Sequence, residues 1–141
     1  MGKKYFQIKV RRMDIYTETI LEYYRHPKNH GTIKDADIFV RDSNPVCGDV
    51  VEIYIKVNQN KINEIKFSGH GCAISQASTS MLTEMVAGKN LKEVKDLSKD
   101  EILKLLGIDL SPVRLKCALL GLKVLKVGVY DYLGQKMEEE I

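Results

Sequence analysis

A run of strict alternation in the middle of the chain restricts its possible folds more than any other feature. From residue 51 to residue 57 every second side chain is Val or Ile, and polar or aromatic side chains lie between them. Successive side chains of a strand point to opposite faces of a sheet, so the pattern predicts a strand over 50–57 with one buried face. The polar residues 58–61 then predict a hairpin connection to a partner strand over 62–68.

Helical periodicity is found on both sides of this hairpin. Tyr16, Ile20 and Tyr23 are spaced as one face of a first helix over 15–26. Further on, apolar spacing, capping residues and terminal glycines mark more helices. Besides the hairpin, the expected elements are a short strand at 38–40, a helix from Cys72 to Gly88, two short helices that start at Asn90 and Ser98, and a long helix from Ser111 to Gly128.

Length and composition fit a single domain over residues 1–141. With 44% hydrophobic and 29% charged residues, the chain can bury a core without disulfides. Residues 1–13 are expected to be a basic extension and residues 129–141 a loose tail. No apolar run approaches the roughly 20 residues of a membrane-spanning helix, and the first residues lack the pattern of a secretory signal. We therefore expect a cytoplasmic protein without a membrane partner.

The distribution of charge argues against a nucleic-acid-binding protein. The net charge is +3, and several basic residues are concentrated within the first twelve positions. A nucleic-acid-binding face would carry basic residues repeatedly along one helix or strand. No such face is found in the sequence, so no nucleic-acid partner is expected.

The three cysteines are the candidate functional residues. Their number is odd, and a reducing cytosol disfavours stable disulfides, so metal binding or thiol chemistry is expected. They are widely separated along the chain, unlike the close ligand pairs of zinc fingers. A single isolated cysteine is more often a small buried residue, so spacing alone does not decide the matter.

Each cysteine lies near the end of a predicted element. Cys47 and Asp49 are separated by one glycine in the loop before the strong strand, so both can face one metal. Cys72 opens a helix, where backbone amides stabilise a thiolate. Cys117 lies in the first turns of the last long helix. These four residues are the candidate metal ligands.

Short motifs around the cysteines carry a resemblance to a known family. The motifs are CGD before the strong strand, GHGCAISQAS at the start of a helix and PVRLKC in the last helix, preceded by YTETILEYYRHPKNHG. In this order they resemble the IscU/SufU/NifU N-terminal family of iron-sulfur cluster assembly scaffold proteins. The similarity extends from about Tyr16 to Gly128.

The resemblance implies an α+β domain in which a small antiparallel three-stranded sheet packs against about five helices. It also implies a non-enzymatic scaffold that receives sulfur from a cysteine desulfurase, builds a transient [2Fe-2S] cluster on Cys47, Cys72 and Cys117, and transfers it to acceptor proteins. Asp49 is then the fourth or an auxiliary ligand. Soft thiolates suit iron and sulfide, whereas a carboxylate is a harder ligand that makes the cluster easier to release.

The expected partners follow from the resemblance and from the last helix. Leucines at positions 119, 122 and 125 make this helix apolar beyond one buried stripe, so the cysteine desulfurase is expected to bind there. The segment Leu110-Ser111-Pro112-Val113-Arg114 stands where the family has its chaperone-recognition segment LPPVK, which makes an Hsp70-type chaperone a candidate partner. A homo-oligomer is a further candidate, and apo iron-sulfur proteins are the expected acceptors.

The residue before the third cysteine leaves a second function open. IscU-type members generally have histidine there, whereas this chain has Lys116, as SufU-type members do. The insertion usual in SufU-type members is missing. The alternative is therefore a SufU-type zinc-dependent sulfur acceptor, in which Zn²⁺ on the same four ligands keeps the thiols ready for a persulfide. A structural zinc protein is disfavoured, because the site is expected at exposed element ends.

Three residues near the cysteines have alternative interpretations. Asp49 is either a metal ligand or a solvated carboxylate at the strand edge, and its position two residues after Cys47 favours the ligand. It is expected in a polar loop, where replacement by alanine costs little stability and gives a longer-lived cluster that is harder to transfer. Lys116 is either simply exposed or stabilises the thiolate of Cys117. His70 is either a metal ligand or part of a tight turn, and its flanking glycines favour the turn.

Overall fold

The computed structural model of the protein describes residues 15–140, with side chains through residue 134. The expected extension over 1–13 lies outside these residues. The described chain has an α+β fold with one three-stranded antiparallel sheet and five helices, as predicted. In chain order the elements are helix α1 over 15–25, strands β1 Ile38–Asn44, β2 Asp49–Asn58 and β3 Lys61–His70, and helices α2 Ala73–Val86, α3 Leu91–Lys95, α4 Lys99–Leu106 and α5 Pro112–Glu140.

The sheet has the strand order β1-β2-β3, with both pairs antiparallel. The alternation that predicted β2 is seen in its burial, since Val51, Ile53 and Ile55 are all buried. Ile53 lies opposite Val40 of β1 and Phe67 of β3. β1 is longer than predicted because it pairs with β2 along its whole length.

A two-residue turn joins β2 to β3. Gln59 and Asn60 both have positive φ angles, of 51° and 60°. This left-handed geometry is that of a type I′ hairpin turn, whose twist matches the twist of the paired strands. The predicted hairpin is therefore confirmed.

Helix α5 packs closely against both the sheet and α2. A Cβ at Gly128 would overlap the side chains of Ile38 and Val40, and a Cβ at Gly121 would overlap Thr79 of α2. Because glycine has no side chain, α5 can approach β1 at Gly128 and α2 at Gly121. The main core that results includes buried residues of the sheet, of α2 and of α5, among them Ile53, Phe67, Leu82, Val124, Leu125 and Val129.

Two expectations about the last helix are wrong. It does not end at Gly128 but continues to Glu140, because this glycine fits the helix against β1 instead of ending it. The leucines expected to be exposed are also covered by the chain itself. Leu122 and Leu125 are buried in the main core, and Leu119 is partly buried against it. They therefore do not form a free docking surface.

Within residues 15–140, no helix combines the length and the apolar character needed to cross a membrane.

Candidate metal centre

Cys47 lies in the short loop that joins β1 to β2. Its backbone N–H donates to the carbonyl of Asn44 at 3.2 Å, which closes a turn. Gly48 has a φ of 70°, a left-handed conformation that glycine adopts without steric cost. The turn places the partly exposed Cys47 thiol at the end of the sheet, and Asp49 begins β2 two residues later.

Asp49 is fully buried. Its Oδ1 accepts the backbone N–H of Cys72 at 2.8 Å, and its Oδ2 lies 4.0 Å from the Cys72 Sγ. Gly71 allows this approach, because a Cβ at that position would overlap the Asp49 carboxylate. Since Cys72 is the N-cap of α2, the carboxylate binds a backbone donor at a helix start, where donors lack intrahelical partners. The expectation that Asp49 lies in a polar loop is therefore wrong, since it is a buried residue at the start of β2.

Cys117 lies in the second turn of α5 and is fully buried. Its Sγ is 3.0 Å from the Sγ of Cys47 and 3.6 Å from the carbonyl oxygen of Val113. Burial, followed by hydrogen bonding to neighbouring site residues, raises the pKa of the Cys117 thiol well above its ordinary value. A raised pKa favours the neutral thiol, so binding of a metal by the Cys117 thiolate requires loss of this proton.

Three of the four candidate ligands form one compact group. The ligand atoms of Cys47, Asp49 and Cys117 all lie within 4.8 Å of one another. Cys72 is not a member of this group but adjoins it through Asp49. Two thiolates on one zinc ion are about 3.8 Å apart when each Zn–S bond is about 2.3 Å. Thiolates with one carboxylate form a donor set that suits zinc or iron.

The sequence of nearly the whole described region matches a protein family. Residues 15–139 fit the sequence model of the family described as the NifU-like N terminal domain. The chain belongs to this family. The resemblance inferred from the cysteine motifs is thereby confirmed.

Relatives of this NifU-like domain include both kinds of protein that the sequence left open. The iron-sulfur cluster assembly scaffold protein IscU 1 of Archaeoglobus fulgidus is 38% identical over 118 residues, 84% of this chain and 76% of the relative. The zinc-dependent sulfurtransferase SufU of Bacillus subtilis is 33% identical over 132 residues, 82% and 89% of the two chains. A crystal structure from Fervidobacterium islandicum, named as a SUF-system scaffold, has a TM-score of 0.68 at 33% identity and covers 79% and 94% of the two chains.

An arginine of this NifU-like domain faces the cysteines. Electrostatic interaction with Cys72, followed by a hydrogen bond to its side chain, raises the pKa of Arg114, with further contributions from Cys117 and Cys47. Arg114 precedes Cys117 by three residues, so the two lie on neighbouring turns of one helix face. That spacing is visible in the sequence, although no role was predicted from it.

His70 is not a member of the compact ligand group. Lys116 is exposed and lines a groove of about 490 Å³ between the β1–β2 loop and α5, together with Pro45 and Leu119. His70 is exposed as the last residue of β3, opposite Val50. Thiolate stabilisation by Lys116 and metal binding by His70 stay predictions.

Proposed function

We propose that the protein is an iron-sulfur cluster assembly scaffold without enzymatic activity of its own. In this function it receives sulfur from a cysteine desulfurase, builds a labile [2Fe-2S] cluster on Cys47, Cys72 and Cys117, and transfers the cluster to acceptor proteins. The observation that carries the proposal is the grouping of Cys47, Asp49 and Cys117 within 4.8 Å, with Cys72 beside them. The name of the Archaeoglobus relative supports it.

Sulfur is expected to enter through Cys47 or Cys72, because both thiols are partly exposed whereas Cys117 is buried. The scaffold thiolate attacks the outer sulfur of a persulfide on the desulfurase. The desulfurase S–S bond then breaks, its cysteine leaves as a thiolate, and the scaffold cysteine carries the persulfide, with no net oxidation. Conversion of each transferred sulfur to sulfide takes two electrons from an external reductant, either a dithiol or a reduced electron-transfer protein.

Asp49 is proposed to make the cluster labile. Its Oδ2 lies beside the Cys72 sulfur, and its Oδ1 holds the backbone of the same residue. A carboxylate is a harder ligand than a thiolate and binds iron less strongly within a sulfur-rich set. Exchange between this oxygen and an incoming thiolate of an acceptor protein therefore offers a route for release.

The desulfurase is expected to bind the rim of the cysteine site. Val46, next to Cys47, is 73% exposed, and Val113, one turn before Cys117, is 49% exposed. Val46 adjoins the partly exposed thiol of Cys47, and the carbonyl of Val113 contacts the sulfur of Cys117. The leucines first predicted for docking are covered. An Hsp70-type chaperone that recognises residues 110–114, a homo-oligomer and a cytoplasmic location are further proposals.

A second candidate function is that of a zinc-dependent sulfur acceptor. The specific observation in its favour is that three donors are already within reach of one ion, which suits three of the four positions of a mononuclear tetrahedral site. The name of the Bacillus relative supports the same alternative. In this function the zinc ion holds the thiols as thiolates until a persulfide arrives.

Anaerobic purification, followed by metal analysis and visible absorption spectroscopy, separates the two functions. The scaffold function predicts iron, acid-labile sulfide and the sulfide-to-iron absorption of a [2Fe-2S] cluster after reconstitution. Tightly bound zinc that resists replacement by iron, with no visible absorption under any reconstitution condition, would support the sulfur acceptor instead.

A further inference from the structure

Asn44 is a buried polar residue beside the cysteines that has no role in the function proposed above. It is the last residue of β1, pairs with Asp49 of β2, and is only 8% exposed. Its side-chain nitrogen lies 3.9 Å from the Sγ of Cys117, and its carbonyl accepts the N–H of Cys47. One residue therefore contacts two of the candidate ligands and is paired with a third.

The local backbone fixes the orientation of the Asn44 amide. Its Oδ1 accepts the backbone N–H of Val46 at 3.3 Å. A backbone N–H can bond only to the oxygen of a side-chain amide, so the NH₂ group must point the other way. On that other side lies the Cys117 sulfur. The β1–β2 loop thus holds an N–H donor against this sulfur.

The donor matters once Cys117 binds a metal as a thiolate. A fully buried thiolate receives no hydrogen bonds from bulk water. The Val113 carbonyl, 3.6 Å from the sulfur, can accept from the neutral thiol but has nothing to donate to the thiolate. The Asn44 amide can donate. Groups that hydrogen-bond to metal ligands typically change metal affinity about 10- to 100-fold.

We propose that Asn44 is a positioning residue with two separable contacts. Its oxygen holds the loop that carries Cys47, and its N–H group stabilises the metal-bound thiolate of Cys117. This inference rests on the proposed metal site, and it adds a residue outside the ligand set that determines how tightly the site retains its metal.

Two variants of Asn44 and one control separate these contacts. Asn44→Asp keeps an oxygen for the Val46 N–H but places a second oxygen, which cannot donate, against the Cys117 sulfur. Asn44→Ala removes both contacts. Asn63→Asp makes the same charge change at an exposed position of β3. The probes are Zn²⁺, measured by competition with a chelator, and Co²⁺, measured by its sulfur-to-cobalt charge-transfer absorption, with circular dichroism of the metal-free proteins to check folding.

Both Asn44 variants are expected to bind zinc at least about tenfold more weakly than the wild type, and Asn63→Asp within about twofold of it. In both Asn44 variants the charge-transfer band is expected to move to lower energy, because the thiolate has lost its donor. The spectral test therefore does not depend on a single variant.

Three results would overturn the inference. If Asn44→Asp bound zinc as tightly as the wild type while Asn44→Ala bound it weakly, only the contact that holds the loop would matter. The proposed N–H donor to the Cys117 thiolate would then be wrong. Unchanged zinc affinity in both variants would show that neither contact of Asn44 contributes to metal retention. A wild-type protein that binds neither zinc nor cobalt would refute the metal site itself, and the proposed function with it, whereas the first two results leave that function intact.

Discussion

Asp49 has a structural contact in addition to its candidate role as a ligand. Its carboxylate is buried and accepts the N–H that opens α2, so its removal affects the fold as well as the metal. The sequence could not indicate this, because the contact depends on Gly71 bringing the start of α2 close to the start of β2.

Replacing Asp49 with alanine should lower the free energy of unfolding of the metal-free protein by about 1–3 kcal/mol, because the Cys72 N–H loses its acceptor. Asp49→Asn keeps an oxygen at this position, so its free energy of unfolding should fall less than that of Asp49→Ala. Chemical denaturation of the three proteins checks the prediction. Equal stabilities of wild type and Asp49→Ala would show that water replaces the carboxylate without cost.

The Asp49→Asn variant separates the effect of Asp49 on the metal from its effect on folding. A cluster reconstituted on Asp49→Asn should decay more slowly and transfer to an apo-ferredoxin more slowly than on the wild type, because the exchangeable anionic oxygen is gone. The decay of visible absorbance and the gain of cluster by the ferredoxin are the measurements. Faster loss from the variant would contradict an exchange role. A zinc site would instead show weaker zinc retention after the loss of one ligand.

The buried thiol of Cys117 makes stability depend on pH. Because its pKa is raised in the folded state, the folded protein holds the thiol proton more tightly than the unfolded chain does. The resulting stabilisation is complete below the unfolded thiol pKa of about 8.5 and is lost as the pH rises above it. Between about pH 7 and about pH 10, the free energy of unfolding of the metal-free protein should fall more for the wild type than for Cys117→Ala, as measured by chemical denaturation. Parallel pH profiles would contradict this assignment.

At the scale of elements, the sequence predicted what depends on local chemistry. The alternation in β2, the polar turn after it, and the Ser98–Glu101 capping box of α4 all act within a few residues, and all are present in the structure. Gly128 was misread because its significance is tertiary: it lies against β1 instead of ending α5. A single sequence does not distinguish a glycine that ends a helix from a glycine within a helix that allows close packing against a neighbouring element.

The leucines of α5 were misassigned for a related reason. This helix packs against the sheet and also against α2, α3 and α4, so it needs apolar residues on several faces. One sequence does not distinguish a helix covered on several sides by its own chain from a helix that awaits a partner. Arg114 and Asn44 were missed because the contact of Arg114 with Cys72 and that of Asn44 with Cys117 each join separate elements.

The rim of the cysteine site gives a matched test of docking. Val46→Asp and Val113→Asp should each raise the dissociation constant for a cysteine desulfurase about tenfold or more, because a charge replaces exposed apolar surface at the interface. Val127→Asp is the control, since Val127 lies on the same helix and is 52% exposed, close to the 49% of Val113. The affinity of the Val127→Asp variant for the desulfurase should stay within about twofold of that of the wild type. Equal weakening by all three substitutions would indicate a general charge effect.

In the whole molecule, the fold brings together residues that are far apart in the chain. The β1–β2 loop supplies Cys47, the start of α2 supplies Cys72, and the second turn of α5 supplies Cys117. Motif resemblance predicted that these positions share a site, whereas their spacing alone did not. The distances in the site, and the exclusion of Cys72 from its most compact group, needed the three-dimensional structure.

The central claim is that the three cysteines form one site that assembles a [2Fe-2S] cluster. The most direct measurement is the iron and acid-labile sulfide content per chain after anaerobic reconstitution with iron(II), cysteine, a cysteine desulfurase and a dithiol, which supplies the electrons that convert persulfide sulfur to sulfide. The wild type is expected to hold about two iron and two sulfide per chain, and each single Cys→Ser variant much less. A variant with all three cysteines replaced that holds as much iron and sulfide as the wild type, or a wild type that holds zinc and takes up no iron, would contradict the account.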